Sequence, residues 1–252
     1  GLVTEVTVQL LPRPEKVETL LCLFESLDDC CDAVSEMIAR RLEPSAIEIL
    51  DRLTIEAVEA SVLRAGYPDN AEAVMLVEVE GGDEEVDATS ADVSEVARAL
   101  GAFDTRRTTD PVERKRLWAG RKGAFGAMGR IAPDLYVADV VAPRTRLREI
   151  VSAATVACRE RDLKLANVFH AGDGNLHPNI CYDRRDKEET RRVVAAGAEI
   201  LEACVAAGGS LTGEHGIGLE KLAEIGLLFS EQDLQAMGRV RRAWDPDLRM
   251  NP

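Results

Sequence analysis

The sequence has 252 residues, of which 46% are hydrophobic, 30% charged and only 4% aromatic, as in soluble globular proteins. This length allows one large domain or two small ones. The formal net charge of −14 argues against binding to nucleic acid or anionic lipid, so any site for a small anion needs arginines or a metal ion.

The first hundred residues predict alternating strands and helices. The two-residue period of Val6, Val8 and Leu10 predicts a strand over residues 3–11, which Pro12 ends. Further strands are predicted over residues 19–25, 46–50 and 73–79, and helices over residues 27–41 and 91–100. Two glycines predict an exposed loop over residues 81–85.

The second half continues the same alternation. A basic segment over residues 112–130 predicts a helix, and a strand over residues 135–141 is followed by a helix from Leu147 to Cys158. Strands over residues 167–171 and 176–182 flank a turn with two glycines. Asp186 is expected to cap a helix over residues 187–207 that ends at two glycines.

Two blocks of strands and helices, residues 1–105 and 132–210, predict an α+β fold. The expected architecture is ferredoxin-like: antiparallel sheets with helices packed on one face, followed by a C-terminal helical segment. The sequence shows neither an internal repeat nor a low-complexity segment.

The cysteines and the absence of targeting signals predict a cytoplasmic protein. Six cysteines are scattered through apolar segments without paired CxxC spacing, which is typical of reduced thiols. No apolar run approaches the length of roughly 20 residues that a membrane span needs, and the N-terminus lacks a secretory pattern.

All three histidines lie in two glycine-rich segments, residues 170–177 and 213–216. A tight turn can bring His170 and His177 to one end of a hairpin, where Glu214 can add a carboxylate. Two imidazoles and one carboxylate suit a zinc-like divalent ion and leave a coordination position for water or substrate. The alternative is that each histidine only forms hydrogen bonds in a turn.

Two further residues are candidates for chemistry. In an extended backbone His215 points away from Glu214, so it is expected to act as a general base rather than a fourth ligand. Arg121, in the basic segment, can hold a substrate carboxylate by two parallel hydrogen bonds, although a solvated helix face is the alternative.

The motifs around these residues resemble the C-terminal cap domain of FAD-linked oxidases of the vanillyl-alcohol oxidase type. Within that family the similarity is to the branch of the FAD-linked glycolate oxidase subunits and D-lactate dehydrogenases. Five segments carry the resemblance, in order along the sequence: residues 117–122, 129–134, 167–178, 213–218, and 244–246 with 251–252.

The resemblance implies a division of the chain and a set of cofactors. Residues 1–12 are expected to end an FAD-binding domain that precedes this sequence, and residues 13–252 to form the substrate, or cap, domain. FAD is then held mainly by the preceding domain, and its contacts cannot be assigned to residues here. The implied metal is a divalent ion, Zn or Mn/Fe.

The same resemblance implies roles for individual residues. His170, His177 and Glu214 match the metal ligands, and His215 matches the catalytic base. Arg121 matches an arginine that binds the substrate carboxylate, and Asn179 matches a substrate contact.

The expected function is the substrate- and metal-binding half of an FAD-dependent 2-hydroxy-acid dehydrogenase. Relatives that act on 2-hydroxyglutarate carry a lysine where this sequence has Val137, which favours a small monoacid, glycolate or D-lactate. The implied partners are the FAD-binding domain and an iron–sulfur subunit, through which the protein is expected to associate with a membrane.

Two other functions fit the residues. A self-contained metal hydrolase would use the same three ligands to activate water, and hydrolase activity of the chain alone would distinguish it. A non-catalytic, metal-stabilised interaction domain would have a closed site with four protein ligands.

Overall fold

The computed structural model describes residues 2–10 and 12–250. Within them, eight strands form one antiparallel sheet in the order β4-β1-β3-β2-β7-β8-β5, and the short β6 pairs with β8. The strands are β1 (Lys16–Phe24), β2 (Ala46–Asp51), β3 (Ala73–Gly81), β4 (Ala102–Thr108), β5 (Asp134–Val137), β6 (Val140–Val141), β7 (Lys164–His170) and β8 (Asn175–Tyr182).

Seven α-helices connect and flank these strands in the described part of the chain. They are α1 (Leu27–Ala39), α2 (Arg52–Glu59), α3 (Asp83–Ala99), α4 (Pro111–Met128), α5 (Leu147–Arg159), α6 (Lys187–Ala206) and α7 (Glu231–Trp244). The predicted α+β class, the antiparallel sheet and the C-terminal helix are confirmed. None of the helices within the described ranges is both long and apolar enough to cross a lipid bilayer.

Each strand sends alternate side chains to opposite faces of the sheet, and each face has its own core. On one face, called here the α5 face, Leu20, Ile49 and Phe169 pack with α1, α3, α5 and α6. On the other, called here the α4 face, Leu21 and Val168 pack with α2 and α4. Helices therefore cover the α5 face as expected, and two more lie on part of the α4 face.

Local sequence explains where the key helices begin. Asp186 caps α6 as predicted, because its side chain accepts hydrogen bonds from the N–H groups of Glu188 and Glu189. Helix α4 has Pro111 in its first turn, where no intrahelical N–H is needed, and Asp110 caps it through Val112. Leu117, Ala124 and Met128 then pack α4 on the α4 face.

Three local predictions were wrong. Residues 2–10 form no strand and are exposed, because none of the described residues offers them a pairing partner; Leu11 lies outside the described residues. The predicted strand over residues 135–141 is interrupted between β5 and β6, where Asp139 is fully buried. In the predicted loop over residues 81–85, Gly81 ends β3 and residues 83–85 already start α3, whose acidic first turn favours a helix N-terminus.

Candidate metal centre

The β7–β8 hairpin places two of the three histidines side by side. Val168 of β7 pairs with His177 of β8, and His170 lies two residues further along β7, so both imidazoles emerge on the α4 face. The rings are 5.3 Å apart, edge to face. The turn needs Gly174, whose φ is 75° and whose added Cβ would lie 2.4 Å from the carbonyl oxygen of Ala142.

A second segment, residues 212–216, carries the acidic candidate ligand and is held by one buried carboxylate. The Oδ2 atom of Asp139 accepts hydrogen bonds from Thr212 Oγ1 at 2.7 Å and from the backbone N–H groups of Gly213 at 2.9 Å, His215 at 2.9 Å and Glu214 at 3.1 Å. These four bonds fix the backbone from which Glu214 and His215 project.

The three predicted ligands converge. Oε1 of Glu214 lies 3.3 Å from Nε2 of His177 and 3.8 Å from Nε2 of His170. One ligand atom from each residue lies within 4.8 Å of the other two. Since metal–ligand distances for zinc are about 2.0–2.2 Å, such an arrangement can surround one cation.

Each imidazole also has a carboxylate on its other nitrogen. Nδ1 of His170 is 2.8 Å from Oε1 of Glu48, and Nδ1 of His177 is 3.7 Å from Oδ1 of Asp139. In protein metal sites, a carboxylate on the far nitrogen orients the ligand ring and increases its basicity. The two Nε2 atoms thus face Glu214, while the two Nδ1 atoms face buried acids.

Burial and charge set the protonation of these groups. The hydrogen bond to Glu48 raises the pKa of His170, whereas burial lowers the pKa of His177 to about 4. Burial opposes ionisation of Asp139, but the hydrogen bonds from residues 212–215 outweigh it and lower its pKa to about 2. At neutral pH His177 is therefore uncharged and Asp139 ionised, as a metal site requires.

The third histidine lies at the open side of the cluster. The ring of His215 stacks on that of His177, with centroids 5.2 Å apart and planes 11° from parallel. Its Nε2 is 3.7 Å from Oε1 of Glu214, and its side chain is 46% exposed, against 1% for His177. The prediction that His215 points away from Glu214 is wrong, because residues 213–215 form a bend rather than an extended segment and both side chains reach the same cluster. His215 still lies beside the candidate metal site, in a position that a solute can approach. Asp139, His177 and His215 form a second group close enough to share an ion.

The predicted substrate anchor, Arg121, lies at the same cluster but is engaged inside the protein. Its Nε and Nη2 are 2.8 and 2.7 Å from Oε2 of Glu48, and its Nη2 is 3.4 Å from Nδ1 of His170. The side chain is only 7% exposed. The two-pronged guanidinium contact expected for a substrate carboxylate is thus made with Glu48.

Asn179 follows His177 on the same face of β8 and is fully enclosed. Its amide Nδ2 donates to the carbonyl oxygens of Ala166 at 3.0 Å and His177 at 2.6 Å. Its Oδ1 finds no hydrogen-bond partner within the described residues. Only that oxygen is left for the predicted contact with substrate.

The charges of the cluster favour a cation. Three carboxylates, those of Glu48, Asp139 and Glu214, face two cationic side chains, those of Arg121 and Lys221, among the described residues. With uncharged imidazoles the cluster is net negative and repels an anionic substrate, while one divalent cation reverses the sign. The donor set therefore fits the metal that the resemblance implies.

Glu48 and Asp139 were missed as members of the site. Both are single acidic residues within apolar runs, Ile47-Glu48-Ile49 in β2 and Ala138-Asp139-Val140 at the break between β5 and β6. A buried charge has to be paired, so this pattern was a usable signal of a polar centre nearby. Their partners lie too far away in the sequence to be identified from it.

Comparison with known proteins identifies related chains. Residues 13–252 match the family model described as FAD linked oxidases, C-terminal domain. Over all of this chain the sequence is 42% identical to half of the glycolate oxidase subunit GlcD of Escherichia coli K12. It is 34% identical to GlcD of Bacillus subtilis, over 53% of that protein, and 29% identical to D-lactate dehydrogenase of Anaerostipes hadrus, over 54% of it. The chain thus spans about half the length of these relatives.

Solved structures share the fold. p-Cresol methylhydroxylase with bound substrate superposes with a TM-score of 0.70 at 17% identity, over 96% of this chain and 53% of that one. 4-Ethylphenol oxidase from Gulosibacter chungangensis gives 0.69 at 14% identity, over 97% of this chain and 54% of that one. At such identities the likeness concerns the fold alone.

Proposed function

This chain belongs to the family of FAD linked oxidases, as their C-terminal domain, and from that premise we propose that it is the substrate- and metal-binding half of an FAD-dependent 2-hydroxy-acid dehydrogenase. The proposed substrate is glycolate or D-lactate, which is oxidised to the 2-oxo acid. The relatives named as glycolate oxidase subunits and D-lactate dehydrogenases support this choice. Val137, in place of a lysine, supports a substrate with one carboxylate.

The observation that carries the proposal is the convergence of His170, His177 and Glu214. Their ligand atoms lie within 4.8 Å of one another, on a cluster whose charge favours a cation. Two imidazoles and one carboxylate suit Zn, Mn or Fe and leave room for a substrate oxygen. A divalent cation, when bound there, stabilises negative charge on the hydroxyl oxygen of the substrate.

The residues around the cation have distinct proposed roles. His215, at the exposed side, accepts the hydroxyl proton of the substrate. Arg121 supplies the positive charge for the substrate carboxylate, and Glu48 keeps its guanidinium in place. Asn179 contacts the substrate through Oδ1. The substrate loses its hydroxyl proton to His215 and a hydride from its α-carbon, and FAD, when bound by the preceding domain, would supply the acceptor for that hydride.

The proposal also assigns partners. Residues 1–12 would continue from an FAD-binding domain that positions the flavin against this chain, and an iron–sulfur subunit would receive the electrons. The relatives that carry the word subunit in their names support an assembly of this kind.

The test is turnover of the complete, FAD-loaded protein with glycolate and D-lactate, using an artificial electron acceptor. Treatment with a chelator should abolish turnover and Zn²⁺ or Mn²⁺ should restore it. His215→Ala should lower kcat by about 100-fold or more, since general bases contribute roughly that much. The control is Glu220→Gln, an exposed acid six residues after Glu214 in the sequence, which should keep wild-type turnover.

Two results would reject the proposal. One is oxidation of either acid that is indifferent to complete metal removal. The other is an unchanged kcat after His215→Ala. Metal-dependent hydrolysis by a protein that oxidises neither acid would favour the hydrolase instead.

A further inference from the structure

The buried acid Asp139 has no part in the proposed reaction, yet it contacts both halves of the candidate metal centre. It lies in the break between β5 and β6 and is fully buried. One of its oxygens, Oδ2, receives four hydrogen bonds from residues 212–215. The other oxygen, Oδ1, accepts a longer hydrogen bond of 3.3 Å from the N–H group of Glu214 and also faces the β7–β8 hairpin, through His177.

Asp139 is held in place from behind by Lys221. The ammonium group of this nearly buried lysine donates to the backbone carbonyl oxygen of Asp139 and, at 2.8 Å, to that of Leu211. Its Nζ lies 3.8 Å from Oδ2 of Asp139. The loop that begins at Leu211 is thereby tied to the backbone of the strand break, and the positive charge of Lys221 near Oδ2 favours the ionised carboxylate in this position.

Asp139 faces only one of the two ring nitrogens of His177, Nδ1. Nδ1 of His177 is buried without a hydrogen-bond partner among the described residues, and Oδ1 of Asp139 lies 3.7 Å from it. This distance exceeds a hydrogen bond, but a carboxylate so close favours an N–H group over a lone pair on the nitrogen that faces it. The opposite nitrogen, Nε2, then keeps its lone pair and points at Glu214.

We propose that Asp139 is a positioning residue for the metal centre: it fixes the backbone of Glu214 and His215 through Oδ2, and through Oδ1 it selects the His177 tautomer whose Nε2 can bind a cation. The inference rests on the proposed function for the identity of the ligands. In this proposal one carboxylate positions two ligands, His177 and Glu214, that come from separate segments of the sequence.

The substitution Asp139→Asn separates the two roles. The amide oxygen has to occupy the Oδ2 position, since three N–H groups and a hydroxyl point there. The amide NH₂ then replaces Oδ1 and turns its hydrogens toward Nδ1 of His177. The loop keeps the four bonds to the oxygen and loses only the longer contact between Glu214 N–H and Oδ1. Nδ1 of His177 becomes an acceptor and its proton moves to Nε2, which can no longer bind a cation.

The experiment reads the tautomer of His177 directly. Two-bond ¹H–¹⁵N correlations of ¹⁵N-histidine-labelled, chelator-treated protein distinguish the two tautomers, and His170→Ala and His215→Ala assign the signals of the three histidines. The wild type should show the proton on Nδ1 of His177, and Asp139→Asn should show it on Nε2. Titration with Zn²⁺ alone should give about 10- to 100-fold weaker binding for Asp139→Asn.

Asp51→Asn is the matched control. Asp51 is also buried and also accepts hydrogen bonds from backbone N–H groups, but its partners are Thr54 and Asn167. This variant should leave the tautomer of His177 and the Zn²⁺ affinity unchanged, so a general loss of stability is separated from a loss of positioning.

The outcomes distinguish this inference from the proposed function. A proton on Nε2 of His177 in the wild type would overturn the role of Asp139, and this reading needs no variant to fold. Unchanged tautomer and affinity in Asp139→Asn would overturn it too. A wild type that has the expected tautomer, inverted by Asp139→Asn, but binds neither Zn²⁺ nor Mn²⁺ nor Fe²⁺ supports the role of Asp139 in fixing the tautomer and rejects the metal of the proposed function.

Discussion

The two faces of the sheet are built from the same strands but differ in what they bury. On the α5 face Ile47, Ile49 and Phe169 are apolar and enclosed. On the α4 face the neighbouring positions Glu48 and His170 are polar and face each other at 2.8 Å. Because side chains alternate along a strand, adjacent residues of β2 and β7 point to opposite faces, one into the apolar core and the next into the charged cluster. The difference teaches that, where β2 meets β7, one face continues the apolar core while the other places a buried charged cluster beside its own core.

The largest expected effect is a loss of stability when the buried ion pair on the α4 face is removed. Glu48→Ala should lower the free energy of unfolding by about 3–5 kcal/mol, because it leaves the buried guanidinium of Arg121 without its carboxylate. Urea denaturation measures the loss. The control is Glu43→Ala, an exposed acid before β2, which should change stability by less than about 0.5 kcal/mol. Equal effects of the two variants would mean that the Glu48–Arg121 pair is not needed for stability.

The second effect tests whether a cation completes the α4 face. At a Zn²⁺ concentration 100 times the Kd, the metal should raise the free energy of unfolding by roughly 2.7 kcal/mol, because only the folded chain brings the ligands together. His170→Ala should lose this gain, whereas Glu220→Gln should keep it. Thermal unfolding with and without Zn²⁺ gives the comparison. A gain that survives in His170→Ala would place the ion elsewhere.

The third effect concerns a second acid in the same strand, Asp51, which has only neutral partners. Burial raises its pKa to about 6 despite hydrogen bonds from Thr54 and Asn167. The folded-state pKa lies above the unfolded value, so ionisation of Asp51 costs stability. Its contribution is most favourable below about pH 4 and is lost as the pH rises to about 6.

The pH dependence is measured against a variant that cannot ionise at this position. The difference in unfolding free energy between wild type and Asp51→Asn should fall by on the order of 2 kcal/mol from pH 4 to pH 6. The same series for Glu43→Ala provides the control, since that acid is exposed. A difference that stays constant across this window would show that Asp51 is ionised throughout.

The sequence predicted the parts of both faces that depend on local pattern. The bounds of α1 and β3 and the hairpin that joins His170 to His177 follow from periodicity and from glycine in the turn. Helix α2 was missed because it starts directly after β2 without a turn, and β4 was missed because it is a mostly polar edge strand.

The contacts that organise the site could not be predicted, because they join distant residues. Glu48 lies 122 residues before His170, and Asp139 lies 74 residues before Gly213. Periodicity reports which side chains are enclosed, but it carries no information on which strands become neighbours. The role of Glu48 therefore emerges only from the strand order, in which β2 lies beside β7, and that of Asp139 from the packing of residues 212–215 against the β5–β6 break.

The smallest expected effect is the loss of stability when one buried residue of the α5 face, Ile49, is shortened. Ile49 adjoins Glu48 in β2 but points the other way, is fully buried, and pairs with Met75 and Phe169. Ile49→Val removes one methylene and should lower the free energy of unfolding by about 0.5–1.5 kcal/mol. Since its neighbours are apolar, Zn²⁺ affinity should not change, whereas Glu48→Ala should weaken it by releasing the ring of His170. If Ile49→Val also weakened Zn²⁺ binding, packing on one face would control geometry on the other, and the two faces would not act independently.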